Sequence, residues 1–116
     1  PEAPEIAQVS SSHQEWKNAL AQCESGGKWN ALNPMDLDGT PSKGAFQFKD
    51  STFNLLSEKY GIATTSIWNG YEQELIVDQM IKDPDIDLRR QFPACVRQIG
   101  LPKNESVEGS RFNYQN

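Results

Sequence analysis

The chain has 116 residues, 36% of them hydrophobic, and a net charge of −5. That length supports one domain around a modest core, and the low apolar share leaves much of the chain to polar loop or tail. The acidic balance, with no Lys/Arg cluster against it, argues against nucleic acid as a partner, and no apolar run approaches the ~20 residues needed to cross a bilayer.

Residues 1–13 read as a linker or N-terminal extension, because PEAPEIAQVSSS is polar and proline-containing, like the segment behind a cleaved signal. A first helix is expected from about Gln14 to Ser25, with Trp16, Ala19, Leu20 and Cys23 at one-face spacing and Ser11 or Ser12 as its N-cap. Gly26 and Gly27 stop it. A loop rich in Asn, Asp, Gly and Pro follows from Lys28 to Lys43. Its Asp36-Leu37-Asp38-Gly39 is similar to part of a calcium loop, but the first ligand position falls on Pro34 and the closing glutamate position on Ala45, so no metal is expected. Gly44-Ala45-Phe46-Gln47-Phe48 alternates small or polar with aromatic residues, as a very short strand or extended turn would.

Asp50 or Ser51 then caps a second helix to about Tyr60, with Phe53, Leu55, Leu56 and Tyr60 on its apolar side and Gly61 at its end. A third helix covers about Tyr71 to Lys82, with Leu75, Ile76, Gln79 and Met80 placed for one-sided burial, until Asp83-Pro84 breaks it. After Ile86, Leu88 and Phe92, Pro93 starts a short helix through Ile99 that Gly100 stops. Residues 101–116 read as a polar tail, with Phe112 and Tyr114 able to dock on the body. The fold class expected is mainly α: a compact helical domain over residues 14–100 with a short loop and strand insertion after the first helix.

Cys23-Glu24-Ser25-Gly26-Gly27 carries the most chemistry. It sets one carboxyl in the last turn of an amphipathic helix, beside the buried stripe and directly before a glycine pair. A carboxyl that loses water on one side favours its protonated form and suits a general acid. The competing reading is a solvated glutamate next to a glycine cap. Cys23 and Cys95 fit neither a CxxC redox motif nor a zinc site. They are either two buried thiols or one disulfide, and the disulfide is preferred because both border the candidate site on helical stripes. Such a bond would contribute about 3–5 kcal/mol and imply an oxidising compartment.

Trp16 through Trp29, WKNALAQCESGGKW, resembles the opening of the resuscitation-promoting factor catalytic domain, a compact member of the lysozyme-like superfamily. It is also similar to the lytic transglycosylase pattern in which Glu-Ser-Gly carries the catalytic acid. Gly44 to Phe48 resembles the second family block, Ser51-Thr52-Phe53 the Ser/Gly-Thr-Trp element after it, and Glu72-Gln73-Glu74 the helix containing Glu-Gln. Pro93-Ala94-Cys95 resembles a Trp-Pro-x-Cys block whose cysteine pairs with the one before the glutamate. The resemblance implies Glu24 as catalytic acid, Gln47 and Thr52 in the sugar-binding groove, and a Cys23–Cys95 disulfide. Trp29 matches an aromatic that either stacks on glycan or packs in the core, with core packing preferred. The chain departs from the family in its longer, more acidic loop between Trp29 and Gly44, in Phe53 and Phe92 where tryptophans stand, and in Lys49.

The activity so implied is cleavage of the MurNAc–GlcNAc β-1,4 bond of peptidoglycan by a secreted or cell-wall-associated enzyme. It needs no cofactor, is expected to be a monomer, and admits a cell-wall peptidase as a partner. A glycosidase normally adds a second carboxylate. Asp36, Asp38 and Asp50 are the candidates, but no motif places them, and each reads more simply as a turn or cap residue. In lytic transglycosylases the muramic acid 6-hydroxyl replaces that partner. The alternatives are a hydrolytic lysozyme using Asp36 or Asp38, a glycan-binding module without catalysis, and an interaction domain that uses the acidic loop.

Overall fold

A computed structural model describes residues 9–36 and 38–103. Among these, the elements run α1 (Gln14–Ser25), β1 (Leu32–Asn33), β2 (Ser42–Lys43), α2 (Asp50–Tyr60), α3 (Gly70–Lys82), α4 (Leu88–Gln91) and α5 (Pro93–Ile99). The domain is mainly helical, with one small antiparallel hairpin that pairs Leu32 with Lys43 and Asn33 with Ser42. Residues 1–8 of the expected extension and 104–116 of the expected tail, with Phe112 and Tyr114, lie outside the described residues.

Helix α1 has the expected bounds, because its glycine pair offers the left-handed backbone a helix end requires. Gly26 adopts φ 70°, and the N–H groups of Gly26 and Gly27 close on the carbonyls of Gln22 and Ala21. Its start differs from expectation. His13, itself left-handed at φ 57°, holds the N-cap position without a side-chain cap, and neither Ser11 nor Ser12 takes that role. The entering chain is fixed elsewhere: Ser10 N–H donates to Asp78 Oδ2 (2.8 Å) and the Ser10 carbonyl accepts from Lys17 Nζ (2.6 Å).

Helix α3 runs through the core. Leu75, Ile76, Val77 and Met80 are all buried, and so are Glu72, Gln73 and Asp78, so the expected one-sided burial does not hold. Each of these polar groups has partners, which is what allows it inside. Glu72 accepts from the Thr65 hydroxyl and from the Thr65 and Ser66 N–H groups, and Asp78 pairs with the fully buried Lys17 of α1 at 2.6 Å. Gln79, expected to be buried, is only partly so. Against α3 lie α2, through Phe53 and Leu56, and a layer formed by Phe46, Phe48 and Phe92. Phe48 meets Phe92 edge-on at 6.0 Å between ring centroids.

Of the two forms expected for residues 44–48, the turn is the one present: left-handed Gly44 (φ 87°) and Gln47 (φ 57°) make it tight, paired bonds between Lys43 and Phe48 close it, and the two strands flank the acidic loop instead. Two further expectations are corrected. Asp50 is the first residue of α2, not its cap, and its carboxylate pairs with Lys43 at 2.9 Å. Leu55 faces solvent while Ser57 is buried, its hydroxyl bonded to the Phe53 carbonyl. Helix α4 was not foreseen: its four residues are too few to show a period, although Asp87 caps it by accepting from Arg89 N–H.

Candidate active site

Glu24 is the penultimate residue of α1, and two ties hold that helix end in place. The Cys23–Cys95 disulfide fastens it to α5. Ser25 Oγ, next to Glu24, donates to the Ala45 carbonyl (2.7 Å) and accepts from the N–H groups of Gly27 and Lys28 (both 3.1 Å). The Glu-Ser-Gly sequence thus has a mechanical meaning: the serine clamps the helix end, the glycines and the 44–47 turn into one unit.

That turn presents Gln47. Its Nε2 donates to the carbonyls of Ala31 (3.2 Å) and Gly44 (3.0 Å), which turns the amide oxygen into the role of acceptor. A non-glycine residue at positive φ is uncommon and gathers at functional sites. From the core side, Gln73 braces the same turn. Its Oε1 accepts from Phe46 N–H (2.8 Å), and its Nε2 donates to the carbonyls of Lys43 (2.9 Å) and Ile67 (2.7 Å). Gly44 lies so close to this amide that any Cβ there would collide with it.

Glu24, Gln47 and Thr52 open onto one cleft of about 340 Å³, completed by Cys95, Phe92, Pro93 and the acidic loop. The structure therefore brings together the three residues assigned to catalysis and sugar binding. Burial pushes the Glu24 carboxyl up to about 7, and the negative charge of Asp36 adds to the rise. A carboxyl in that state carries a proton near neutrality and can donate it.

The second-carboxylate candidates separate. Asp36 and Asp38 line the cleft, whereas Asp50 does not and serves its ion pair with Lys43. Asp38 is held down at about 2, chiefly by hydrogen bonds from the Thr40 hydroxyl and N–H and then by Lys49. Asp36 accepts from the Ser42 hydroxyl and meets Lys49 Nζ at 3.5 Å. Lys49, noticed in the sequence only as a departure, is thus the cation that gathers the acidic loop. Arg90 and Gln91 also line the cleft and were missed, because the short α4 left no pattern to place them.

Trp29 is corrected as well. It is 54% exposed rather than packed in the core, with the edge of its indole resting over Gly70 at the start of α3. Among the described residues no cluster of His, Cys, Asp and Glu could hold a metal ion, and no helix is long and apolar enough to cross a membrane. No protein-family model, curated protein or solved structure matches the chain.

Proposed function

We propose that this protein cleaves peptidoglycan glycan strands at the MurNAc–GlcNAc β-1,4 bond as a lytic transglycosylase, with Glu24 as its one acid and base. The observation that carries the reading is convergence: Glu24 from α1, Gln47 from the 44–47 turn and Thr52 from α2 meet in one cleft, and burial there raises the glutamate so that it can hold a proton near neutral pH.

The neutral Glu24 carboxyl donates its proton to the glycosidic oxygen as the bond from C1 of MurNAc to that oxygen breaks. The GlcNAc unit leaves with a free 4-hydroxyl. The MurNAc 6-hydroxyl then attacks C1, and the Glu24 carboxylate takes the hydroxyl proton, restoring the acid and closing a 1,6-anhydro ring. Gln47, with its Nε2 already engaged, offers its oxygen to a sugar N–H or O–H, and Thr52 offers a hydroxyl. The disulfide accords with work in an oxidising compartment such as the cell wall.

One observation favours hydrolysis as the second reading: Asp36 faces the same cleft and acts on Glu24 through its charge. Against it, Asp36 and Asp38 each have Lys49 beside them, and a neighbouring cation weakens a carboxylate as a base for water. Glu24→Gln should keep the helical circular dichroism of the wild type and lower release of soluble fragments from purified peptidoglycan by at least ~100-fold, the scale of a lost general acid. A variant with near-wild-type release would remove Glu24 from the mechanism.

A further inference from the structure

A second cleft, of about 380 Å³, lies between α1, the loop after it and the first turns of α3, and it shares no lining residue with the Glu24 cleft. Trp29 and Tyr71 form its aromatic part and are 54% and 43% exposed. Asn18 and Gln22, four residues apart on α1, and Glu74, three residues beyond Tyr71 on α3, supply its polar part. Glu24, two residues past Gln22, does not share that helical face.

The tryptophan is held rather than loose. Its indole edge sits where a Cβ of Gly70 would be, so the α3 backbone fixes the ring while half of it stays in water. Leaving two large aromatic surfaces of one cleft half in solvent forgoes their burial, and such surfaces commonly mark binding sites. The two charged residues that line the cleft, Lys17 and Glu74, are paired with each other and with Asp78 and Gln14 behind them. Lys17 Nζ pairs with Glu74 Oε2 (2.9 Å) and Asp78 Oδ1 (2.6 Å), and Gln14 Nε2 donates to Asn18 Oδ1 (3.0 Å) and Glu74 Oε2 (3.3 Å). One ammonium against two carboxylates leaves this group net negative, so an anion finds no available cation among the lining residues. What remains is aromatic face, amide groups and the second Glu74 oxygen.

That combination suits a neutral pyranose, whose C–H face stacks on an aromatic ring while its hydroxyls bond to amides and carboxylate. We propose that this cleft binds a neutral sugar unit of a glycan, apart from the cleft that carries Glu24. The site would hold the protein on a strand without taking part in bond cleavage, and it does not require Glu24 to be catalytic.

The test is an NMR titration of the Glu24→Gln protein with chitopentaose. The Trp29 indole N–H and the side-chain amides of Asn18 and Gln22 are expected to shift together and saturate. Trp29→Ala should weaken this binding about tenfold, as loss of a stacking ring does. Gln22→Ala, at an exposed position, should weaken it with the fold unchanged and carries the test should Trp29→Ala not fold. Shifts confined to Gln47, Thr52 and their neighbours would overturn this inference and leave the proposed activity standing. No shift at saturating sugar, or full binding by either variant, would overturn it too.

Discussion

Glu24 shows how one side chain takes its chemistry from its neighbours. Its carboxyl rises to about 7 because burial disfavours the anion, and the Asp36 charge contributes less. If Glu24 acts as the acid, the active form is the protonated one, so activity should fall as pH rises through about 7. Asp36→Asn removes a like charge, making Glu24 easier to ionise, and should move that fall to lower pH. The displacement should be a fraction of the whole elevation, since burial is the larger cause. A pH series of fragment release by both proteins measures it, and an unchanged or alkaline-shifted limb would contradict the electrostatic coupling. Glu24 itself was legible in the sequence, because a stripe ending at Cys23 and a glycine pair leave little choice for its position. Asp36 was one of three candidate carboxylates, but its pairing with Lys49 was not legible, since a loop has no period to say which charges meet.

At the scale of elements, helix ends with glycine were read well and polar burial was not. Gly26, Gly61 and Gly100 close α1, α2 and α5 where expected. Helix α3 looked one-sided because its second buried face is polar: Asp78 and Gln73 are satisfied by Lys17 of α1 and by the 43–46 backbone, partners distant in the chain. Between the short strand and the extended turn expected at residues 44–48, the turn prevails because Gln47 takes a positive φ that no alternation of residue types announces. Gln73 is what links the core to that turn. Gln73→Leu keeps the bulk but strands the Phe46 N–H and takes the amide donor from the Lys43 and Ile67 carbonyls, and should destabilise the fold by about 2–4 kcal/mol in urea unfolding. It should also reduce fragment release at temperatures where the variant stays folded, by loosening Gln47. A change within ~0.5 kcal/mol, as for an ordinary surface position, would show that the brace is dispensable.

Across the whole molecule, the Cys23–Cys95 bond joins α1 to α5 over a sequence separation of 72 residues. On the chain-entropy model such a closure stabilises by about 4 kcal/mol, a large share of what a domain of this size possesses. Replacing both cysteines with alanine should lower the unfolding midpoint by about 15 °C or more in a calorimetric scan. Loss of only a few degrees would mean that α1 and α5 are held by packing alone. The disulfide was open to reading because both cysteines lie on helical stripes. The exposure of Trp29 was not, because it depends on Gly70, a residue whose only contribution is to be small.

The products of bond cleavage test the proposed activity most directly. Mass spectrometry of fragments released from purified peptidoglycan by the wild-type protein should show muropeptides ending in 1,6-anhydro-MurNAc, lighter by one water than their hydrolysed counterparts. Fragments with reducing-end MurNAc, or no fragments from protein that binds the polymer, would contradict it.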